Sequence, residues 1–328
     1  MPDDLANTHE GAPTLCVVIC THNRAGLLPR CLEAMQRQRG VTQSDLGIVV
    51  IDNCSSDNTR QVVESFSDRT IPVHYIFEPT LGLSVARNTG LTASQSPLVA
   101  YIDDDAFAEP QWAATVISAF ADGPPELAAI AGRVFPEWET ERPACMTPFL
   151  EALYTVHDRG DAPKVMEANE YFVGANMIFR RDVLRTLGGF ETQLGRVGTS
   201  LLSNEETHLR YSLAAKGYAC MYVPEAVVHH HISRDRLTSA YIRRRLLAQG
   251  QSDVVGRALK RGRASLPVRF IDCVLDAARV VKHSVRSWLQ GSGPTAEYSW
   301  QLSVVAFGRL QASLSELVSR QHPITTAN

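Results

Sequence analysis

The feature that most constrains this chain is an alternation in its first hundred residues. Short apolar runs end on polar or charged side chains, and each is followed by apolar residues at helical spacing. LCVVIC (15–20) breaks at Thr21-His22-Asn23-Arg24, after which Leu27, Leu28, Cys31, Leu32 and Met35 share one helical face. GIVVID (47–52) precedes the turn SSDNT and a helical pattern of Val62, Val63 and Phe66. VHYIFE (73–78) precedes LSVARNTGLTAS (83–94), and LVAYID (98–103) precedes a helix that starts near Pro110. Strands buried on both faces read as continuous apolar runs, and such alternation predicts an α/β chain with a mostly parallel central sheet covered by helices. Ligands of such sheets bind beyond the carboxyl ends of the strands. Thr21 to Arg24, Asp52 and Asp103 to Asp105 all fall on that edge.

Further along, residues 136–170 are proline-bearing and of mixed charge and read as a long excursion. NMIFRRDVL (176–184) restores a strand and helix that stop at GGF (188–190). ETHLRYSLAAKGY (206–218) reads as a helix with a glycine stop, and ACMYVPEAVVHHH (219–231) as extended chain. After Ser233 the pattern becomes arginine-rich and amphipathic. The expected organisation is therefore a tail over 1–12, an α/β domain over 13–232 and a basic helical region over 233–328.

With 328 residues, 45% of them hydrophobic, the chain can bury one large core or a domain plus a smaller one. No apolar run approaches the roughly 20 residues that span a bilayer, and MPDDLANTHEGAP lacks the basic-then-apolar order of a signal peptide. A cytoplasmic protein is expected, with any membrane contact peripheral to the inner face. The seven cysteines form no CxxC pair, which argues against a zinc knuckle or a disulfide framework. The net charge of -3 hides an asymmetry: residues 1–232 hold 17 Lys+Arg against 29 Asp+Glu, and 233–328 hold 15 against 6.

Three short clusters carry candidate chemistry. Asp103-Asp104-Asp105 ends a strand, where adjacent carboxylates repel one another unless a cation lies among them. Alternation sends Asp103 and Asp105 to one side and Asp104 to the other, an arrangement suited to Mg²⁺ or Mn²⁺ completed by substrate phosphates. A solvated acidic turn is the competing reading. Asn204-Glu205-Glu206 opens a helix behind the glycine-bearing loop GRVGTSLLS. Its carboxylates either complement the helix dipole or take a proton from an incoming hydroxyl. In His229-His230-His231, strand alternation lets His229 and His231, or His230 alone, face one ligand.

These pieces occur in a telling order: VVICTHNR, IVVIDNCSSDNT, LGLSVARNTG, VAYIDDDAFAEP, GANMIFRRDVLRTLGGFE and NEETHLRYSLAAKGYACMYVPEAVVHH. Over residues 13–232 the chain resembles the family two glycosyltransferases, metal-dependent inverting enzymes with the GT-A nucleotide-sugar fold. The resemblance implies that Thr21 and its loop, with Asn23 and Arg24, hold the nucleotide together with Asp52, and that Arg87 lies near the nucleotide or diphosphate. It makes Asp103 and Asp105 the outer members of a DXD motif flanking Asp104, Asp103 near ribose and metal and Asp105 a direct ligand of Mn²⁺ or Mg²⁺. His230, or His229 if the register slips by one, would complete the metal site. Glu206 takes the place of the catalytic base, with Glu205 beside it. One departure stands out: the family usually has Glu-Asp where this chain has Glu-Glu, and the extra methylene moves the carboxylate by more than about 1 Å unless the backbone adjusts, a misplacement that can cost on the order of 100-fold.

The implied partners are a nucleotide diphosphate sugar, with a UDP-, dTDP- or GDP- carrier, and a glycan, lipid-linked or small-molecule acceptor. The QxxRW motif and membrane helices of processive synthases are absent, which implies transfer of one or a few sugars. The competing functions are a sugar-nucleotide-forming nucleotidyltransferase, which usually carries a glycine-rich, lysine-bearing first loop unlike THNRAGL, and a non-catalytic carbohydrate-binding protein. The basic helices could meet an anionic membrane or a lipid-phosphate acceptor, but their wide apolar faces favour burial against the acidic body or in a homodimer. Nucleic acid is not an expected partner, because the basic region lacks interleaved aromatics.

Overall fold

The computed structural model describes residues 11–167, 170–262 and 264–318. Most of the tail expected over 1–12 lies outside the described residues. The described chain divides into two compact units: a sheet unit from residue 11 to 139 with 154–192 and 205–232, and a helical unit of 140–153, 193–204 and 233 to 318. The segments 140–153 and 193–204 thus interrupt the sheet unit in sequence while belonging to the helical one.

The elements follow in chain order as β1 (Leu15–Thr21), α1 (Leu28–Gln36), β2 (Leu46–Asn53), α2 (Thr59–Glu64), β3 (Val73–Glu78), α3 (Leu83–Ala93), β4 (Leu98–Asp103), β5 (Ala106–Ala108), α4 (Trp112–Ala121) and β6 (Leu127–Trp138). After α5 (Pro148–Leu153) come β7 (Lys164–Val165), β8 (Met177–Arg180), α6 (Arg181–Thr186), α7 (Glu205–Ala215) and β9 (Ala219–Ile232). The helical unit continues with α8 (Ser239–Arg261), α9 (Leu266–Gln290) and α10 (Pro294–Val318).

The sheet runs β3-β2-β1-β4-β8-β6-β9-β5, with β7 added against β9. The parallel pattern expected from the sequence is realised in β3-β2-β1-β4 and again between β6 and β9. Between them β8 is antiparallel to both neighbours, and β5 and β7 pair antiparallel with β9. The reason lies in the connections: no long crossover helix precedes β8, so that strand enters from the edge opposite to the βα repeats.

The period of two along β1 divides the core. Leu15, Val17 and Ile19 face one side, against Leu28, Leu32 and Met35 of α1 and Trp112 and Val116 of α4. Cys16 and Val18 face the other, with Ala86 and Leu91 of α3, Leu184 of α6 and Leu213 of α7. On that second face Gly90 of α3 rides directly on Val18, where an added Cβ would collide with the valine methyls. All seven cysteines are free thiols. Among the described residues no helix is long and apolar enough to cross a membrane.

Candidate active site

Strand register sets the site. Thr21 at the end of β1 pairs with Asp52 of β2, and Cys20 pairs with Asp103 of β4, so the polar ends of three strands line up on one edge. The loop after β1 is laced to the loop after β2. The His22 ring meets the Asn53 carbonyl through Nδ1 at 2.6 Å, the Asn23 carboxamide oxygen accepts from the Ser56 amide at 2.7 Å, and the Ala25 amide donates to Asp57 at 3.0 Å. Asn23 holds this shape with φ 53°, a left-handed conformation that asparagine tolerates better than most residues. Asp52 is buried, and both of its oxygens are engaged, one by the Ser55 amide at 2.9 Å and the other by the Tyr75 hydroxyl at 2.8 Å. Burial and the bond to that carboxylate push the Tyr75 phenol up to about 12.

Asp103 closes β4, Asp104 and Asp105 form the turn into β5, and the three divide to the sides that alternation predicts. Asp104 turns inward and accepts the Thr21 hydroxyl at 2.7 Å. Burial pushes its carboxyl above the usual range, opposed by Arg24. Asp103 and Asp105 turn the other way and converge with His230, their ligand atoms all within 4.8 Å of one another. The antiparallel pairing of β5 with β9 places Ala106 opposite His230, which is how a residue 125 positions downstream of Asp105 reaches it. His230 Nε2 lies 3.1 Å from Asp105 Oδ1, while Nδ1 is held at 3.1 Å from the Tyr154 carbonyl and 2.6 Å from the Thr155 hydroxyl. A Nδ1–H given to that carbonyl leaves the Nε2 lone pair aimed at the aspartates, the tautomer a metal ligand needs.

Two carboxylates and one imidazole whose ligand atoms lie this close make a donor set suited to Mn²⁺ or Mg²⁺. The residues present therefore fit the cation. A positive charge already stands beside them: Arg24 Nη1 lies 2.5 Å from Asp105 Oδ2 and 3.6 Å from Asp104. Asp104 foremost holds that guanidinium protonated well above its ordinary range.

A second group adjoins the first through Arg87 of α3. Its buried guanidinium reaches Glu205 at 2.8 Å, Glu206 at 3.4 Å and Asp103 at 3.7 Å. Burial opposes the charge, but Glu206, Glu205 and Asp103 together raise the Arg87 pKa. Glu205 is 2% exposed, and its Oε2 has no hydrogen-bond partner. The Glu206 side chain keeps 15% exposure; burial first and the Glu205 carboxylate second push it up to about 7, with Arg87 opposing. Gly174 leaves room for this group, since a Cβ there would strike the Arg87 guanidinium and the Glu206 carboxylate.

Of the sequence candidates, Thr21, Asn23, Arg24, Asp52, Arg87, Asp103, Asp104, Asp105, Glu205, Glu206 and His230 all belong to this strand edge and the elements facing it. His229 does not join them: it points to the opposite side of β9 and meets Glu109 at 3.0 Å. His231, at 3.8 Å from Glu137 and 3.9 Å from Glu139, is also turned away. Sequence reasoning passed over Tyr75, Gly174, Tyr154 and Thr155. Gly174 stands inside a quoted motif and could have been singled out. Thr155 lies in a stretch read as an excursion, and its φ of 66° gives a β-branched residue no sequence signal.

Comparison with known proteins follows the same lines. The family description "Glycosyl transferase family 2" matches residues 16–188, more than half of the chain. The glucosyl-dolichyl phosphate glucuronosyltransferase of Haloferax volcanii is 27% identical over 239 residues, 72% of this chain and 75% of that protein. The validoxylamine A glucosyltransferase of Streptomyces hygroscopicus subsp. jinggangensis is 41% identical over 122 residues, 37% of this chain and 28% of that protein. Among solved structures, the mannosyltransferase PcManGT from Pyrobaculum calidifontis, in complex with GDP-Man and Mn²⁺, superposes with a TM-score of 0.59 at 20% identity, covering 97% of this chain and 91% of that one. With the strand-edge motifs in order and the fold shared over nearly its whole length, the chain belongs to glycosyl transferase family 2 and is a glycosyltransferase of the GT-A fold.

Proposed function

We propose that this glycosyltransferase is metal-dependent, inverting and non-processive, moving a sugar from a nucleotide diphosphate sugar to an acceptor hydroxyl. The observation that carries the reading is the meeting, along one strand edge, of the Asp103–Asp105–His230 cluster with the Arg87–Glu205–Glu206 group. Support also comes from the PcManGT structure, which holds GDP-Man and Mn²⁺. The family membership displaces the nucleotidyltransferase and carbohydrate-binding alternatives.

Asp103, Asp105 and His230 would hold Mn²⁺ or Mg²⁺, which when bound offsets the charge that gathers on the departing nucleotide diphosphate. The loops carrying Thr21, Asn23, Arg24 and Asp52 form the nucleotide wall. Tyr154 and Thr155 keep His230 in the tautomer that leaves Nε2 free. Arg87 is a positioning residue that ties the acidic start of α7 to Asp103. Glu206, the more open member of the pair, takes the proton from the acceptor hydroxyl as that oxygen attacks the anomeric carbon from the face opposite the leaving group. Glu205 anchors Arg87 and keeps its partner carboxylate in reach.

The donor carrier is UDP, dTDP or GDP, and the acceptor a glycan, a lipid-linked sugar or a small molecule. Donor hydrolysis measured across sugar nucleotides with Mn²⁺ present is the direct test. Turnover of at least one donor, lost with chelator and reduced on the order of 100-fold or more in Asp105→Ala, is expected. Undiminished turnover in that variant would reject the metal assignment.

A further inference from the structure

The helical unit contains a helix mounted with its polar side inward. Helix α9 is strongly amphipathic, yet the face packed on α10, and joined to α8 by ion pairs from Arg257 and Arg261, is the polar one. Asp276 is fully buried, bonded to Arg257 of α8 at 3.1 Å, to Arg279 at 2.5 Å and to Ser313 of α10 at 2.9 Å. Arg269 donates to the Glu316 carbonyl at 2.9 Å, and Ser287 to the Ala296 carbonyl at 3.0 Å. These bonds fix the rotation of α9 about its own axis. They turn Phe270, Val274, Val281, Val285, Trp288 and Leu289 outward, with exposures from 49% to 79%.

A soluble helix ordinarily buries its apolar stripe and wets its polar face. Here a buried ion pair, expensive in desolvation, is kept on the inside while the apolar face is left out. Those six positions fall within an arc of about 100° at 100° per residue, and with Leu266, Val268, Ile271 and Leu275, also exposed, the face widens to about 200°, wider than the seam one partner helix covers. Phe270 and Trp288, eighteen residues apart, lie on the same line at its two ends. One edge of the face carries Arg279, Lys282 and Arg286 at spacings of three and four, and Lys282 and Arg286 are exposed. An aromatic-bearing apolar face edged by cations complements the boundary between acyl chains and anionic headgroups, with the long basic side chains reaching back to the phosphates.

We propose that α9 is an interfacial anchor that lays its outer face on an anionic lipid bilayer. The occupant is the membrane surface, and a second copy of the chain is the outcome the test must separate from it.

The experiment is flotation of the full-length protein with phosphatidylcholine vesicles, with and without phosphatidylglycerol, alongside its mass in lipid-free solution by light scattering. The wild-type chain is expected to float with the anionic vesicles and to be released by salt. Phe270→Ser with Trp288→Ser should lower partitioning about 10-fold or more. Lys282→Gln with Arg286→Gln should lower it about 5-fold per charge on anionic vesicles only. All four side chains are exposed, so unchanged melting temperatures are expected; if the double aromatic variant melts early, Trp288→Ser alone serves. No flotation at low salt, equal flotation of the aromatic variant, or a lipid-free dimer that the aromatic variant converts to monomer would each overturn the proposal.

Discussion

At the scale of single residues, the site turns on how charge is distributed among six carboxylates and two guanidiniums. In the proposed role of base Glu206 must be ionised to accept a proton, and its neighbourhood holds the carboxyl up to about 7. Since the active form is the deprotonated one, kcat should rise with pH up to about 7 and level off above it, falling about tenfold for each unit below. Glu206→Gln should abolish that limb together with turnover, lowering kcat by a factor of about 100 to 10,000, while a nucleotide titration shows binding within about twofold of wild type. Retained turnover in this variant would assign the proton transfer elsewhere. The aspartate alternation and the Glu-Glu pair were legible in the sequence because both depend on neighbouring positions. The resemblance put His230 first among the three histidines, but strand alternation alone left the choice open, because one residue of register on β9 exchanges His229 for His230. Only the pairing of Ala106 with His230 decides it.

At the scale of elements, two close approaches set what the chain tolerates. In the turn that precedes β8, Gly174 gives Arg87 and Glu206 their room. Gly174→Ala should therefore lower kcat by tenfold or more, through displacement on the order of 1 Å, while secondary structure by circular dichroism is unchanged. In the helical unit, Gly250 of α8 meets the backbone of α10 at Val305 and Arg309, and Gly308 of α10 meets the Leu247 backbone of α8. Gly250→Ala forces these helices apart and should cost about 1–3 kcal/mol of stability in denaturant titration. That cost falls on packing, with no side chain of the proposed chemistry touched. The strands and helices of the βα repeats were readable from periodicity alone. The antiparallel entry of β8 was not, since the direction of a strand depends on the route of the connection and not on its own residues.

For the whole molecule, the proposed ligands stabilise only the folded sheet unit. Mn²⁺ with the correct nucleoside diphosphate should raise the melting temperature, and at a ligand concentration of 100 times Kd the gain approaches about 2.7 kcal/mol. Chelator should return the melt to its ligand-free position, and in Asp103→Ala with Asp105→Ala the metal-dependent part should vanish. An unchanged increment in that variant would place the cation elsewhere.

By itself the sequence determined the α/β class, the strand edge on which polar residues gather, and the sides to which Asp103, Asp104 and Asp105 turn. These follow from periods of two and 3.6, which neighbouring residues impose on one another. Tertiary structure alone decided that His230 joins Asp103 and Asp105, that Arg87 gathers Glu205, Glu206 and Asp103, and that 140–153 and 193–204 belong with the helices. It also decided that α9 turns its apolar face outward, because the rotation of an amphipathic helix is set by what it packs against, here a buried aspartate and its partners. Each of these rests on contacts between residues far apart in the chain, and no local period encodes them.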